Sequence, residues 1–217
     1  MLRFDDPPCM PGTGETPAEL LARAAVLAGT PGEAYLERRS VPLKVAEEAG
    51  VRFDADFSGR PALLVPLKDR SDDLASLHGR YLHVVRGENK MLTIGTGGGV
   101  VQMLGGWHAE PLILVEGLFD ALSLAACGWP CLATVGRWAP WLPEVAKGRV
   151  TWLAFDAGRP GEADVARYRQ RLDGALVRRL PPPPLCKDWN TALVKRGPGV
   201  VTRWVRDRIS EVRQGHD

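Results

Sequence analysis

A short apolar run that ends at an acidic residue and continues as a helix most constrains how this chain can fold. Leu112 to Val115 are apolar, Glu116-Gly117 follows, and an alanine-rich stretch with helical spacing occupies 118–127. This order predicts a short buried strand, a turn and a helix. In open α/β sheets the functional groups gather at the carboxyl ends of the strands, so we expect Glu116 to face a functional site.

A second acid of the same motif, Asp120, follows Glu116 by four residues. Residues that are four apart lie about one helical turn from each other, so the two carboxylates can share one pocket. The same two residues also suit a solvated loop and the first turn of a helix, where the helix dipole favours an acid. The motif alone leaves both interpretations open.

Strand and helix patterns alternate throughout the region after Pro111. The predicted strands are at 112–115, 131–135, 150–155 and 175–180, and the predicted helices are near 118–127, 140–147 and 161–173. This alternation is typical of a small, mostly parallel sheet that helices cover on both faces. We therefore predict an α/β domain over 107–197, followed by an amphipathic helix over 198–217.

Two further connections bring acids to the same predicted edge of the sheet. Asp156 follows one predicted strand, in a turn that contains Gly158 and Gly161, and the KDWN sequence at 187–190 follows the last strand. Magnesium prefers oxygen ligands, usually one or two carboxylates together with waters and substrate phosphates. Such an ion can polarise a phosphoryl oxygen. The convergence of acids on one edge therefore predicts a magnesium site.

The first half of the chain shows different patterns. Segments that begin at Thr16 and Thr30 both read Thr-Pro-x-Glu, which predicts two capped helices, the first of which runs to about Leu27. Three apolar runs separated by turn residues follow, and they predict an antiparallel meander with strands at 62–67, 74–84 and 90–94. We therefore predict a flexible arm over 1–15 and a mixed α/β, strand-rich basic subdomain over 16–106.

Basic residues are frequent along the predicted meander, namely Lys68, Arg70, His78, Arg80, His83, Arg86 and Lys90. Alternation can place several of them on one face, which suits nucleic acid, but the solvated face of any sheet also carries charge. The whole chain has a formal net charge of only +2, so a nucleic-acid partner must be bound by local patches. Both interpretations of the basic strands stay open.

Several other kinds of site lack support in the sequence. The glycine-rich run at 95–99 has neither the ending of a P-loop nor the context of a dinucleotide site, so we expect a hairpin or linker. The four cysteines lack zinc-site spacing, and we expect Cys127 and Cys131 to fill the core. A signal pattern and a run of about 18 apolar residues are both absent, so we expect a cytoplasmic protein without a membrane partner.

The acidic motifs together resemble the TOPRIM domain of DnaG-type primases and topoisomerases. The resemblance rests on Glu116-Gly117 with Asp120, on Asp156 with Gly161, and on Lys187-Asp188-Trp189-Asn190, which is similar to the primase-like branch found in phage and mobile-element proteins. The upstream region resembles the N-terminal subdomain of the DnaG-type RNA-polymerase core, through Ala34-Tyr35-Leu36-x-x-Arg39, PLKD at 66–69, His78-Gly79-Arg80 and Lys90. The resemblance covers about residues 30–195.

This resemblance implies a four-stranded parallel TOPRIM sheet with flanking helices beside a mixed α/β basic subdomain. It also implies a nucleotidyltransferase that joins ribonucleotides on a single-stranded DNA template, with NTPs as substrates and Mg²⁺ or Mn²⁺ as cofactor. A replicative helicase is a candidate partner. The sequence contains neither the zinc-binding module that family primases often carry nor a P-loop, so we expect a core without these parts.

The resemblance further implies roles for individual residues. Glu116 would be the general base or a metal-proximal acid, and Asp120 would shape the catalytic site around it. Asp156 and Asp188 would be the metal ligands. Phosphates of the template or of a triphosphate would be bound by the basic residues Arg80, Lys90, Lys68 and Lys187. The backbone turns beside the acids would be supplied by Gly117 and Gly161.

One position departs from the family pattern Asp-x-Asp-x-x-Gly, because Gly158 stands where the second acid is expected. A site with Glu116, Asp156 and Asp188 could bind one magnesium ion, but a two-ion mechanism would lack a charge. A weakly catalytic or non-catalytic nucleic-acid-binding module is therefore an alternative to a primase. A TOPRIM nuclease is a further alternative, although the acids that would support cleavage are not found. Trp189 is a candidate for stacking on a base.

Overall fold

The computed structural model of this chain describes residues 14–84 and 86–214, with side chains described as far as residue 211. The chain forms two compact units. The first extends to Gln102 and includes Thr134–Pro140, and the second comprises Met103–Ala133 and the chain from Trp141 onward. Almost all of the predicted arm over 1–15 lies outside the described residues.

The first unit contains three short helices and an antiparallel sheet. The helices are α1 (Pro17–Arg23), α2 (Pro31–Glu37) and α3 (Leu43–Glu48), and the strands are β1 (Arg52–Phe57), β2 (Arg60–Lys68), β3 (Leu74–Tyr81) and β4 (Met91–Gly95). The strand order is β1-β2-β3-β4, with every neighbouring pair antiparallel. The predicted meander is therefore confirmed, and β1 adds a strand at its start.

The first helix ends earlier than its sequence pattern predicts. Its start has the predicted capping box, because the Thr16 side chain accepts a hydrogen bond from the Glu19 amide while the Glu19 carboxylate accepts one from the Thr16 amide. The helix nevertheless ends at Arg23 rather than near Leu27. The chain beyond it pairs with β1, where Ala25 and Phe53 exchange two backbone hydrogen bonds of 2.8 and 2.9 Å.

The second predicted capping box takes a different form. The Thr30 side chain accepts its hydrogen bond from the Gly32 amide, at 3.2 Å. The Glu33 carboxylate reaches past Thr30 and accepts a hydrogen bond of 2.7 Å from the amide of Gly29. The carboxylate therefore stabilises the residue before the cap instead of the cap itself.

The second unit is built on a parallel sheet, and a short strand, β5 (Val101–Met103), lies at the boundary between the two units. The strands of the sheet are β6 (Leu112–Val115), β7 (Cys131–Ala133), β8 (Val150–Leu153) and β9 (Leu176–Arg179), in the order β7-β6-β8-β9. All of these neighbouring pairs are parallel. The predicted α/β class and its four-stranded parallel sheet are therefore confirmed.

Helices connect and extend these strands. They are α4 (Leu118–Ala126), α5 (Leu142–Ala146), α6 (Arg159–Arg171), α7 (Trp189–Arg196) and α8 (Pro198–Gln214), and a short 3₁₀ turn spans Gly106–His108. All four residues of β6 are buried, as expected for a central parallel strand. On α8 the predicted apolar stripe is confirmed, since Val201, Val205 and Ile209 are buried.

One tryptophan and two cysteines of the second unit are part of its core. Trp189 is fully buried, and its indole donates a hydrogen bond of 2.8 Å to the carbonyl oxygen of Ala154. The interpretation of Trp189 as a base-stacking residue is therefore wrong. Cys127 and Cys131 are buried free thiols, as predicted. Within the described part of the chain, no helix has the length and apolar character needed to cross a membrane.

Candidate active site

Glu116 lies directly after β6, at the carboxyl end of the parallel sheet, and Gly117 is the N-cap of α4. A β-carbon at Gly117 would lie 2.7 Å from the Oδ2 atom of Asp120. Any larger residue at this position would therefore push the Asp120 carboxylate away. The Glu-Gly pair is explained by this close approach, because it allows the acid of α4 to fold back over the turn.

Asp120 is held by the start of α7. Its Oδ1 atom accepts hydrogen bonds from the backbone amides of Trp189, at 2.9 Å, and Asn190, at 3.3 Å. A carboxylate is favourable in this position, because the first amides of a helix lack partners within the helix. The Asn190 side chain adds a hydrogen bond of 3.0 Å to Ser123 on α4. Asp120 and Asn190 therefore join α4 to α7.

Asp188 serves as the N-cap of α7. Its Oδ1 atom accepts a hydrogen bond of 2.6 Å from the amide of Thr191. This capping role was not part of the sequence interpretation, in which Asp188 acts only as a metal ligand. Asp188 and Asp120 together satisfy three amides in the first turn of α7, so the helix presents two carboxylates beside its positive end.

Asp156 lies in the turn between β8 and α6. Its carboxylate is 3.8 Å from the ammonium group of Lys187, whose own backbone carbonyl accepts a hydrogen bond of 2.7 Å from the Ala157 amide. A β-carbon at Gly161 would overlap the carbonyl oxygen of Asp156, so the first turn of α6 can pack on this carbonyl only with glycine there. These contacts bring the Asp156 turn and the KDWN segment together.

Burial and the charges of neighbouring acids raise the pKa values of three acids at this edge. Burial and the charge of Asp156 raise the pKa of Glu116, while Arg167 and Lys187 partly oppose the shift. Burial and the charge of Asp188 raise the pKa of Asp156. Burial, followed by the charges of Asp156 and Asp188, raises the pKa of Asp120 to about 7. The four carboxylates therefore share one negative field, which a cation would relieve.

The donor chemistry suits a hard divalent cation. In residues 14–84 and 86–214, no three His, Cys, Asp or Glu side chains lie close enough to bind one ion together. Magnesium usually takes only one or two protein carboxylates and completes its shell with waters and substrate phosphates. One or two of the donors Glu116, Asp156 and Asp188 would therefore suffice for an ion that is bound together with a phosphate-bearing substrate.

The position of the missing acid has an unusual backbone. Gly158 has φ 88° and ψ −177°, and it is the N-cap of α6. This combination is accessible almost exclusively to glycine. A β-carbon would meet no neighbouring atom there, so the restriction comes from the backbone and not from crowding. The backbone of this turn therefore favours glycine at position 158.

The remaining predicted phosphate-binding residues lie in the first unit. Lys68 at the end of β2 and Lys90 before β4 are exposed, and Arg80 on β3 is partly buried. His78, from the same motif as Arg80, is buried with its Nδ1 atom 2.9 Å from the hydroxyl of Thr93. Burial, with the charges of Arg80 and Arg137, lowers the pKa of His78 to about 4. The imidazole is therefore neutral and is not part of a basic face.

Sequence interpretation missed one residue at this edge, Arg179. Its guanidinium donates to four backbone carbonyls at the ends of β8 and β9, including that of Asp156 at 2.8 Å. Nothing in the sequence distinguishes Arg179 from its neighbour Arg178, because both sit in the same basic strand. The only available signal was an arginine next to the predicted strand end, which is too common to be informative.

The fold is similar to that of several proteins whose structures have been solved. No protein-family model matches the sequence, and no curated protein does. Among solved structures, the Aquifex aeolicus primase, comprising its zinc-binding and RNA polymerase domains, has a TM-score of 0.70 at 16% identity, and the match covers 88% of this chain and 59% of that chain. This chain therefore spans well under two thirds of the Aquifex protein in that structure.

Two further structures agree with this match. The primase fragment of the bacteriophage T7 primase-helicase protein has a TM-score of 0.62 at 18% identity, over 91% of this chain and 81% of that one. A DnaG primase catalytic domain bound to single-stranded DNA has a TM-score of 0.66 at 18% identity, over 88% and 77%. The chain thus has the fold of a DnaG-type primase catalytic core, and the resemblance predicted from the sequence is confirmed at the level of the fold.

Proposed function

We propose that this chain is a DnaG-like primase core that joins ribonucleotides on a single-stranded DNA template in a metal-dependent reaction. The observation that carries the proposal is the cluster of four carboxylates at the carboxyl edge of the parallel sheet, where burial and neighbouring negative charge raise the pKa values of Glu116, Asp120 and Asp156. Such shifts mark functional sites more often than solvated surface acids. The shared fold with primase catalytic cores supports the reaction class.

The structurally similar proteins also support the choice of partners. One of them is a primase domain bound to single-stranded DNA, and another is a fragment of a primase-helicase protein. We infer single-stranded DNA as template and NTPs as substrates for this chain. A replicative helicase is a candidate partner, and a location with the replication machinery in the cytoplasm follows from the same inference.

In this proposal Glu116 receives the proton of the attacking hydroxyl, whose oxygen bonds to the α-phosphorus of the NTP while the bond between the α- and β-phosphates breaks and pyrophosphate leaves. Its raised pKa brings the carboxylate closer to the proton affinity that a general base needs near neutral pH. A divalent ion, when bound, polarises the phosphoryl group that is attacked. Asp156 and the free oxygen of Asp188 would hold that ion. Lys187, whose side chain is 75% exposed, would contact a substrate phosphate.

Asp120 has a different place in the proposal. Its carboxylate accepts two amide hydrogen bonds from α7, so it acts by holding that helix and Asp188 in position. Lys68, Arg80 and Lys90 of the first unit would bind phosphates of the template or of a triphosphate. Their contribution would depend on salt concentration, because phosphate contacts release counterions.

A nucleic-acid-binding module with little or no catalysis is the second candidate function. Two observations favour it: Gly158 stands in a glycine-only conformation where the family has an acid, and Asp188 already uses one oxygen to cap α7. Such a module would bind single-stranded DNA without requiring a divalent ion. It would release no primer product.

Primer synthesis on single-stranded DNA with labelled NTPs, in Mg²⁺ and in Mn²⁺, decides between the two candidates. Three proteins are compared: the wild type, Glu116→Gln, and Glu110→Gln as a matched control at the opposite end of β6. Products that disappear only in Glu116→Gln support the primase. If the wild type makes no product in either metal but still binds single-stranded DNA, the binding module is the better assignment.

A further inference from the structure

We propose that Arg179 is a positioning residue of the acidic edge, where it fixes the main chain that carries Asp156. The inference rests on the proposed function only for the role of Asp156 as a metal ligand. The position of the Asp156 turn can be measured without any reaction. Arg179 is the last residue of β9, and 17% of its side chain is exposed.

The guanidinium of Arg179 bridges the backbone where β8 leaves the sheet. Its Nη1 atom donates to the carbonyls of Leu153, Phe155 and Leu180, at 2.9 to 3.1 Å. Its Nη2 atom donates to the carbonyl of Asp156 at 2.8 Å. The Leu153 carbonyl also accepts a hydrogen bond of 3.0 Å from the Leu180 amide, whereas Phe155 and Asp156 lie beyond the end of β8. A charged donor there offsets the desolvation cost of the carbonyl groups. These hydrogen bonds therefore hold the main chain from Leu153 to Asp156.

Two neighbours fix this arrangement in turn. The Glu162 carboxylate on α6 accepts a hydrogen bond of 2.9 Å from the Nε atom of Arg179. Gly161, on the same turn of α6, allows the helix to approach the carbonyl oxygen of Asp156, which also accepts from Arg179. The backbone carbonyl of Asp156 is therefore held by Arg179 on one side and by the first turn of α6 on the other. The orientation of the Asp156 carboxylate depends on this fixed backbone.

The same unit contains a second arginine with nearly the same contacts at the opposite edge. Arg149 precedes β8 and donates to the carbonyls of Trp107, Val145 and Ala109, while its Nε atom pairs with Glu110 at 2.7 Å. Its side chain is 21% exposed, close to the value for Arg179. Arg149 therefore serves as an internal control, because it fixes loops without holding an acid of the site.

The test compares Arg179→Gln with Arg149→Gln in the full chain. Mn²⁺ binding is measured from the electron paramagnetic resonance signal of the free ion, and hydrogen exchange is followed by mass spectrometry over residues 154–160. We expect Arg179→Gln to weaken Mn²⁺ binding by about 10- to 100-fold, as residues that orient ligands from behind commonly do. It should also accelerate exchange at Ala157. We expect Arg149→Gln to leave both quantities unchanged.

Two more variants keep the test decisive. Arg179→Lys should not restore Mn²⁺ affinity, because one ammonium group cannot span carbonyls that a planar fork reaches together. Glu162→Gln should produce a smaller loss in the same direction, and it replaces Arg179→Gln if that variant does not fold. The proposal is overturned if Arg179→Gln binds Mn²⁺ like the wild type, if Arg149→Gln loses affinity equally, or if Arg179→Lys restores full affinity.

A failure of the proposed function gives a different result. If the wild type does not bind Mn²⁺, the metal site is wrong, while hydrogen exchange over 154–160 still decides whether Arg179 positions the turn. Faster exchange in Arg179→Gln alone then supports the positioning role, and equal exchange in the two variants contradicts it.

Discussion

The two ends of the parallel sheet use the same structural device for different purposes. At the amino end Arg149 gathers backbone carbonyls and pairs with Glu110, and at the carboxyl end Arg179 gathers carbonyls and pairs with Glu162. Both arginines donate to backbone carbonyls, those for Arg179 near the ends of β8 and β9 and those for Arg149 in the 3₁₀ turn, at Ala109 and in α5. The device itself therefore does not identify a functional site.

The difference between the ends lies in the acids that the loops carry. The amino end has Glu110, which is 61% exposed and paired with a cation. At the carboxyl end, beside the paired Glu162, burial together with the charges of Asp156 and Asp188 raises the pKa of Glu116, Asp120 and Asp156. Repulsion of this kind opposes folding, and it supports the proposal of a functional site at the carboxyl end.

The comparison of Glu116 with Glu110 gives the largest expected effect. Glu116→Gln should lower primer synthesis by about 10²- to 10⁴-fold, the range for loss of a general base. Glu110→Gln should leave the rate unchanged, because it breaks only an exposed ion pair. Initial rates of labelled primer formation at saturating NTP provide the measurement. A similar loss in both variants would show that the activity depends on the sheet as a whole.

The pH dependence of the free energy of unfolding should show the second largest difference between the two ends of the sheet. An acid whose pKa is raised to about 7 favours the folded state while protonated, so this stability is present below about pH 4 and is lost as pH rises through 7. The Asp120→Asn variant keeps an oxygen that can accept the two backbone amides of α7, but it removes the charge. It should therefore abolish up to about 4 kcal/mol of the fall in the free energy of unfolding between pH 4 and pH 7. Urea unfolding in EDTA at pH 4 to 8 measures it. Glu110→Gln should retain the wild-type slope.

The two arginines should contribute similarly to stability. Loss of the charged donors leaves several carbonyl groups unsatisfied, so Arg179→Gln and Arg149→Gln should each lower the free energy of unfolding by about 2–4 kcal/mol. Urea titrations at pH 8 provide both values. Equal losses of stability with unequal Mn²⁺ affinity would separate support of the fold from support of the site. A loss confined to Arg179→Gln would mean that the arginines are not equivalent supports.

Two glycines at opposite ends give the smallest expected effects. Gly158 and Gly148 both have positive φ angles, 88° and 72°, with open space where a β-carbon would lie. Gly158→Asp should therefore lower stability by about 1–3 kcal/mol without raising primer yield, because the acid would enter a glycine-only backbone. Gly148→Ala should cost about 1–2 kcal/mol and leave yield unchanged. A yield above wild type for Gly158→Asp would show that only the carboxylate was missing.

Short-range patterns predict parts of both units. The strand over 112–115 has the observed bounds, and the acids follow strand ends as expected, because carboxyl ends of parallel strands share one edge. The Thr16 capping box was also predictable, since both of its hydrogen bonds join residues three apart. Hydrophobic periodicity and capping describe neighbouring residues, so a linear sequence contains them.

Tertiary structure alone decided the partners of the site residues. Asp120 is bound by an amide 69 residues away, and Arg179 by a carbonyl 23 residues away. Trp189 became a core residue because its indole reaches the carbonyl oxygen of Ala154, 35 residues away. The cap at Asp188, in contrast, joins residues three apart and is a local feature. Arg178 and Arg179 are equivalent as sequence, and only the packing of β9 beside β8 gives one of them the carbonyls of the acidic turn, since such contacts depend on distances that no local pattern encodes.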